Sequence, residues 1–175
     1  MTNAASASFH ASAVLVEDRA VLIRGPSGAG KSHLAFDLIL AGRSGQLPSA
    51  VLVGDDRVHL DSRNGQLVVR PARELAGRIE IRGLGIRRCD FAEEAIVGLV
   101  VDLSAPDAER LPPPEALRTH ICGVEIPRIP VGAGFPAFPL VVAALTMTES
   151  SAFAQPPADC SKGFGNHISP TIATE

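Results

Sequence analysis

The sequence contains the stretch Gly25-Pro26-Ser27-Gly28-Ala29-Gly30-Lys31-Ser32, which matches the pattern GxxxxGK[ST]. It follows an apolar run at 19–24 and precedes a helical pattern at 31–41. Its three glycines allow the backbone to turn tightly and direct N–H groups at phosphate oxygens beside the positive end of a helix. The stretch therefore predicts an α/β domain with a phosphate-binding loop (P-loop) that takes a nucleoside triphosphate.

Two side chains of this loop have expected roles. Lys31 reaches the β and γ phosphates of a bound triphosphate, and the Ser32 hydroxyl joins the coordination shell of magnesium. The pattern does not name a reaction, because kinases, NTPases and molecular switches share it. The alternative is a glycine-rich turn between a strand and a helix that binds nothing.

Composition limits the class of protein further. The chain has 175 residues, 46% of them hydrophobic, and a formal net charge of -3. This suits one globular domain, which we place at 1–150, followed by a flexible tail at 151–175. Sixteen Lys and Arg against nineteen Asp and Glu disfavour a nucleic-acid binder with a basic surface.

Targeting signals and cysteine spacing bear on the compartment. We see no signal peptide and no apolar window long enough for a membrane span. Cys89, Cys122 and Cys160 are far apart and form no CxxC spacing, which favours free thiols in a reducing compartment over a disulfide framework or a zinc site. We expect a cytoplasmic protein.

The apolar runs predict a mixed sheet that contains hairpins. Asn64-Gly65 is a strong hairpin signal, and prolines 127 and 130 predict that the last strand lies at a sheet edge. Strands are predicted at 9–16, 19–24, 50–53, 58–60, 67–69, 95–103 and 124–131. A helix at 31–41 ends at Gly42, residues 111–114 are extended, and a closing helix occupies 140–148.

Acidic residues and a histidine outside the loop are candidates for the chemistry. Asp55-Asp56 follows the run at 50–53, and neighbouring side chains of a strand point to opposite faces, so one of the two is expected to meet the γ-phosphate. The alternative is an ordinary turn that caps local N–H groups. Glu80 is either a magnesium ligand or a solvated strand residue. His10, taken alone, is typical of a structural histidine.

Three segments together carry a resemblance to a known family. The glycine-rich loop, Val53-Gly54-Asp55-Asp56-Arg57-Val58 and Glu80-Ile81-Arg82-Gly83-Leu84-Gly85-Ile86 resemble, in order and approximate spacing, the bifunctional HPr kinase/phosphorylase family. The resemblance is clear from His10 to Ile86 and weaker through Leu145. Many members of the family carry a separate N-terminal domain, and this chain resembles the short forms that begin at the catalytic part.

The resemblance implies an activity and a set of roles. Members of the family transfer the γ-phosphoryl group of ATP to a serine of the phosphocarrier protein HPr, and many reverse this by phosphorolysis. Their fold is similar to the nucleotide-binding part of phosphoenolpyruvate carboxykinases, and they often form hexamers. The resemblance implies that Asp55 is the catalytic base, that Asp56 supports it, and that Ser32 and Glu80 face magnesium. His10 matches the histidine that precedes the family's loop.

The sequence also departs from the family pattern at three places. His33 stands where the family usually has Glu, and the segment at 43–51 is longer than usual. Near the C-terminus the family typically reads Gly-Arg-Asn, whereas this chain has Gly134-Phe135-Pro136. The arginine associated with the active site and with partner contacts is therefore missing, which weakens the expectation of phosphorolysis.

Two other functions remain open on the sequence alone. One is a small-molecule kinase, whose ATP turnover depends on a metabolite and not on a carrier protein. The other is a nucleotide-sensing module that binds ATP without transfer. The presence of Asp55, Lys31, Ser32 and Glu80 favours retained transfer, because a pure binder needs no base beside the γ-phosphate.

Overall fold

The computed structural model of the chain describes residues 7–147. Their elements are eleven strands and two α-helices. The strands are β1 Ala7–Phe9, β2 Ser12–Val16, β3 Arg19–Arg24, β4 Ala50–Gly54, β5 Val58–Arg63, β6 Gln66–Pro71, β7 Arg78–Ile81, β8 Gly85–Arg88, β9 Ala95–Leu103, β10 Arg118–Ile121 and β11 Val124–Val131; the helices are α1 Lys31–Arg43 and α2 Ala137–Thr146.

A mixed sheet with the order β1-β5-β6-β9-β3-β2-β4 organises the domain. Strand β9 pairs in parallel with β3 and with β11, and antiparallel with β6. Strands β7 and β8 form a separate antiparallel hairpin. The mixed α/β class is confirmed, and the glycine-rich loop follows the carboxyl end of β3, a central strand of this sheet.

The central strands are apolar on both faces because both faces are covered. In β3, Val21 and Ile23 belong to one buried cluster and Ala20 and Leu22 to a second. The first cluster also contains α1 residues such as Leu38. Alternate residues of a strand point to opposite faces, so a continuous apolar run is what a strand between two buried layers requires.

Several predicted elements are confirmed. The pairing of β5 with β6 closes at Arg63 and Gln66, and Asn64 and Gly65 both have positive φ, 52° and 75°, as a tight two-residue hairpin turn needs. The pairing of β2 with β3 is also a hairpin. Within residues 7–147, the first half of β11 pairs only with β10 and the second half only with β9, which agrees with the proline content of that strand.

Other predictions were wrong in detail. The run at 9–16 is not one strand, because His10 and Ala11 interrupt the strand conformation. Strand β1 pairs with β5, whereas β2 pairs with β3 and β4. Pro114 is not extended but begins a 3-10 helix, Pro114–Leu117. The closing helix begins three residues early, at Ala137. Thr148, Cys160 and the tail predicted at 151–175 lie outside the described residues.

Gly42 does not end α1, which continues through Arg43. A Cβ placed on Gly42 would lie 2.6 Å from the Cβ and 2.6 Å from the backbone N of Ala50. Glycine is therefore required here because strand β4 passes close to the helix, and not because the helix terminates. No helix between residues 7 and 147 has both the length and the apolar character needed to cross a membrane.

We predict that Gly42→Ala destabilises the domain. In an open helix this change stabilises by about 1 kcal/mol, but the contact with Ala50 makes it an overpacking change that costs about 1–3 kcal/mol. Urea unfolding should give a lower free energy of unfolding than the wild type. Arg43→Ala, at the exposed neighbouring position, should change little. Equal or greater stability of Gly42→Ala would contradict the close approach.

Candidate nucleotide-binding site

The glycine-rich loop connects β3 to α1. Gly25, Gly28 and Gly30 all have positive φ, 147°, 79° and 97°, which side chains with a Cβ rarely adopt. At Gly25 the space is also closed, since a Cβ there would lie 2.9 Å from the carbonyl oxygen of Leu103 at the end of β9. Backbone conformation and packing together explain the glycines of the motif.

The N-terminus of α1 has the features of an anion-binding site. Gly30 precedes the helix in a left-handed conformation, no side chain caps the helix, and its first turn contains no acidic residue. The backbone N–H groups of a first helical turn have no partner within the helix, and the helix dipole makes this end positive. Phosphate oxygens are suitable acceptors for these groups.

Lys31 is held against the loop. Its Nζ donates to the carbonyl oxygens of Gly25 and Pro26, both at 3.0 Å, and only 6% of the residue is exposed. Burial lowers the pKa of Lys31 below its ordinary value, and the negative charges of Asp55 and Asp56 oppose that shift. The charged ammonium group of Lys31 is poorly hydrated here, so a phosphate that binds beside it stabilises it.

Asp55 is buried beneath the loop, with 3% exposure. Its Oδ1 accepts hydrogen bonds from Ser12 Oγ at 2.6 Å and Ser32 Oγ at 2.8 Å, and its Oδ2 accepts one from the backbone N of Glu80 at 3.0 Å. Ser12, Lys31 and Asp55 are the three buried polar or charged residues of the described chain. Polar burial in this domain is thus concentrated at one site.

Asp56 has a different environment from its neighbour. Its side chain is 65% exposed and lies 3.2 Å from Nε2 of His10. Its φ is 65°, a left-handed conformation that is unfavourable for a residue other than glycine and that recurs at functional sites. The turn that follows β4 therefore buries one carboxylate and presents the other.

A cavity of about 650 Å³ opens over the loop. Its lining contains the loop, the start of α1, β7 and two residues that flank the sheet: His10, Ser27, Gly28, Gly30, Lys31, Ser32, His33, Phe36, Asp56, Glu80, Ile81 and Arg82. The volume falls in the range of sites for small molecules and cofactors. Of the candidate side chains named from the sequence, Asp55 does not line this cavity, and the following five do: His10, Lys31, Ser32, Asp56 and Glu80.

Ser32 and Glu80 are suitable ligands for magnesium. Both residues carry oxygen atoms and line the same cavity, and Asp55 accepts one hydrogen bond from each residue. Within residues 7–147, no group of three or more His, Cys, Asp and Glu side chains is arranged to hold a metal by itself. Magnesium usually takes one or two protein oxygens and is otherwise bound by phosphates and water.

A charged network behind the loop was missed by the sequence analysis. Arg24, the residue before Gly25, donates hydrogen bonds from Nε and Nη2 to the two carboxylate oxygens of Asp102, at 2.7 Å each. Arg128 of β11 also donates to Asp102, at 2.5 Å, and to Asp107. Burial raises the pKa of Asp102, but the bonds from Arg24 and Arg128 outweigh it and hold the pKa below its ordinary value. The network joins three strands where the loop begins.

Ser12 was also missed, because it is the first residue of β2 and, in the strand predicted at 9–16, it is one of two polar residues with His10. Of the positions that depart from the family pattern, His33 lines the cavity and lies 3.6 Å from Asp37. Gly134, Phe135 and Pro136 precede α2, and none of them is among the lining residues. Phe135 is 74% exposed.

The fold and site define a mixed α/β domain with a glycine-rich anion cradle between a central strand and a helix. Comparison with known proteins identifies its family. The family described as HPr Serine kinase C-terminal domain matches residues 2–153, which is most of the chain. The chain belongs to this family.

Individual relatives agree with this assignment. The chain is 33% identical over 145 residues to the HPr kinase/phosphorylase of Mycoplasma mycoides, covering 74% of this chain and 44% of the relative. It is 37% identical over 141 residues to that of Enterococcus faecalis, covering 73% and 43%. The chain therefore spans less than half the length of these relatives. The structure of the Hpr(Ser) kinase/phosphatase from Coxiella burnetii is similar with a TM-score of 0.63 and 28% identity, covering 79% of this chain and 93% of that one.

We predict that Asp102→Asn lowers the free energy of unfolding at neutral pH by about 2 kcal/mol, because it removes charged hydrogen bonds and leaves Arg24 and Arg128 without their shared partner. The folded-state pKa of Asp102 is depressed. Its stabilisation is therefore present above the unfolded value of about 4 and is lost as the pH falls through the folded value.

The measurement is urea unfolding of both proteins at pH 7 and at acidic pH. The difference between wild type and Asp102→Asn should be large at pH 7 and should shrink below about pH 4. Glu109→Gln, which removes an exposed carboxylate, is the matched control and should show no such difference. A gap that is constant with pH would contradict the role given to the charge of Asp102.

Proposed function

We propose that this domain is an ATP-dependent protein-serine kinase that phosphorylates an HPr-like phosphocarrier protein. The observation that carries the proposal is one cavity lined by Lys31, Ser32, His10 and Asp56 at the glycine-rich loop, in a chain of the HPr kinase family. The relatives named HPr kinase/phosphorylase support the transferase class. ATP and magnesium are the proposed small-molecule requirements.

The triphosphate binds along the loop. Residues 25–32 supply the cradle, with backbone N–H groups at the start of α1 and the ammonium group of Lys31 as donors to phosphate oxygens. Lys31 exchanges its bonds with the loop carbonyls for bonds with phosphate. Transfer to a serine hydroxyl needs in-line positioning and neutralisation of charge, and these groups supply both.

Magnesium fits beside Ser32 and Glu80. When bound, it neutralises charge on the terminal phosphates. The hydroxyl of Ser32 donates a hydrogen bond to Asp55. The lone pairs of Ser32 Oγ are therefore directed away from Asp55. The same carboxylate holds the backbone of Glu80. Asp55 is thus suited to orient both of the proposed magnesium ligands.

Asp56 is better placed than Asp55 to accept the proton of the substrate serine. The sequence-based hypothesis made Asp55 the base and Asp56 its support. Both oxygens of Asp55 already accept hydrogen bonds, and the side chain is buried. Asp56 lines the cavity beside His10, where an incoming serine hydroxyl has access to it. We therefore assign proton transfer to Asp56, orientation of Asp56 to His10, and positioning of the loop serine to Asp55.

Four further predictions accompany this proposal. The finer likeness to phosphoenolpyruvate carboxykinases and assembly into hexamers rest on the family resemblance. A cytoplasmic location and the absence of nucleic-acid binding rest on the targeting, cysteine and charge arguments given above. Phosphorolysis of the phosphorylated carrier is an additional prediction. It is tested in a transfer assay by adding inorganic phosphate and measuring pyrophosphate. The exposed turn at Gly134-Phe135-Pro136 is the place where an arginine is missing for that reaction.

We predict that Asp56→Asn lowers kcat for phosphorylation of the carrier by at least about 100-fold, because a positioned general base contributes 10²–10⁴-fold. Nucleotide affinity should stay close to that of the wild type. Asp55→Asn should instead raise the magnesium concentration needed for half-maximal activity, because it disturbs Ser32 and Glu80. Transfer is measured with radiolabelled ATP, and affinity with a fluorescent ATP analogue.

The two variants form a matched pair, since each replaces one carboxylate with an amide of the same size. If Asp55→Asn abolishes transfer at saturating magnesium while Asp56→Asn remains active, the original assignment of Asp55 as the base is correct and the one proposed here is wrong. Folding of both variants is checked by urea unfolding.

We predict that phosphate appears on a serine of an HPr-type carrier when the protein is mixed with magnesium, ATP and a panel of such carriers. Mass spectrometry of the carrier identifies the residue. ATP turnover that depends on a metabolite and ignores every carrier would instead indicate a small-molecule kinase. Tight ATP binding without transfer to any acceptor would indicate a nucleotide-sensing module.

A further inference from the structure

Ser12 carries a buried hydroxyl group that no step of the proposed mechanism uses. The residue has no exposed surface, and it does not line the cavity over the glycine-rich loop. Its Oγ donates a hydrogen bond to Oδ1 of Asp55 at 2.6 Å. A side chain in this place does not touch the nucleotide, so any part that it plays in the reaction must act through Asp55.

The position of Ser12 in β2 belongs to a row of apolar residues. Alternate residues of a strand share a face, and Val14 and Val16, on the face of Ser12, belong to the buried cluster that contains α1. Ala13 belongs to the cluster on the opposite face. A buried hydroxyl group is costly unless it is hydrogen-bonded. The bond to Asp55 is therefore the feature that explains a serine at this position.

Strand β2 holds the backbone of Ser12 in place. In the pairing with β3, Ser12 is opposite Ile23, two residues before the loop begins. In the pairing with β4, Ala13 is opposite Gly54, the residue before Asp55. The strand thus lies between the segment that leads into the loop and the segment that leads to the buried carboxylate. The Ser12 hydroxyl is a donor whose position is set by the central sheet.

Two hydroxyl groups share one oxygen of the buried carboxylate. Ser12 and Ser32 both donate to Oδ1 of Asp55, at 2.6 and 2.8 Å. Their surroundings differ, because Ser32 lines the cavity and Ser12 does not. Ligands that bind at Ser32 change the environment of one donor only. The bond from Ser12 is therefore suited to keep the carboxylate in place while Ser32 takes a ligand.

We propose that Ser12 is a positioning residue of the magnesium site, which orients Ser32 and Glu80 through Asp55. The proposal rests on the proposed function, because it concerns the magnesium ligands of the kinase reaction. Groups that orient metal ligands contribute about 10–100-fold to metal affinity. Ser12 acts one hydrogen bond further from the metal than Asp55 does, so we expect an effect of about tenfold.

The test measures how much magnesium improves nucleotide binding. The dissociation constant of a fluorescent ATP analogue is determined on the full chain in EDTA and in excess magnesium, and the ratio of the two values is the magnesium effect. Ser12→Ala should reduce the magnesium effect about tenfold and leave the affinity in EDTA unchanged. In carrier phosphorylation, the same variant should need about tenfold more magnesium for half-maximal rate, with kcat at saturating magnesium unchanged.

Two further variants separate positioning from a general loss of stability. Ser12→Thr keeps a hydroxyl group at the same backbone position and should retain the magnesium effect. Val16→Ala removes buried side-chain volume at the other end of β2, so it should lower the free energy of unfolding without changing the magnesium effect. Urea unfolding checks that each variant is folded under the assay conditions.

A double-mutant cycle tests the route through the carboxylate. Asp55→Ala removes the acceptor, so adding Ser12→Ala to it should not reduce the magnesium effect further. Three results would overturn the proposal. They are a wild-type magnesium effect in Ser12→Ala, an equal loss in Val16→Ala, and losses in Ser12→Ala and Asp55→Ala that simply multiply in the double variant.

Failure of the proposed function gives a different result. A wild-type protein whose nucleotide affinity ignores magnesium would contradict the magnesium site itself, and with it the role of Ser12. A wild-type protein whose magnesium effect survives in Ser12→Ala would contradict the role of Ser12 alone.

Discussion

The buried carboxylate of Asp55 is the constraint on which the nucleotide site depends. It accepts hydrogen bonds from Ser12 in β2, from Ser32 in α1 and from the backbone of Glu80 in β7. A carboxylate removed from water is costly unless its oxygens are satisfied, and here three donors from three elements satisfy them. The position of the loop serine relative to the sheet and to the β7–β8 hairpin follows from this one group.

The two neighbouring aspartates differ in burial for a physical reason other than the one expected. The sequence argument assumed a continuing strand, in which adjacent side chains point to opposite faces. Strand β4 instead ends at Gly54, and the positive φ of Asp56 turns the chain. Only one carboxylate faces the cavity, as expected, but it is the second and not the first. The alternation rule therefore anticipated the separation without identifying which residue is exposed.

Local signals were sufficient for a large part of the fold and insufficient for the site. The loop motif, α1 and the Asn64-Gly65 hairpin depend on residues close in sequence, and each was predicted. The bond from Ser12 to Asp55 joins residues 43 apart, and that from Arg24 to Asp102 joins residues 78 apart. No local pattern encodes such pairs. Gly42 was misinterpreted for the same reason, because its contact with Ala50 exists only in the folded chain.

The β7–β8 hairpin has a consequence for motion. It forms a sheet of its own, every residue of β8 is exposed, and an isolated two-stranded ribbon is only marginally stable in water. Such units open far more often than the domain unfolds. Glu80 belongs to this ribbon, which is held to the rest of the protein by the bond from the Glu80 backbone to Asp55 and by burial of Ile79 in the cluster that contains α1. Opening of the nucleotide cavity by movement of this ribbon would leave the central sheet intact, and it would break both the bond to Asp55 and the packing of Ile79.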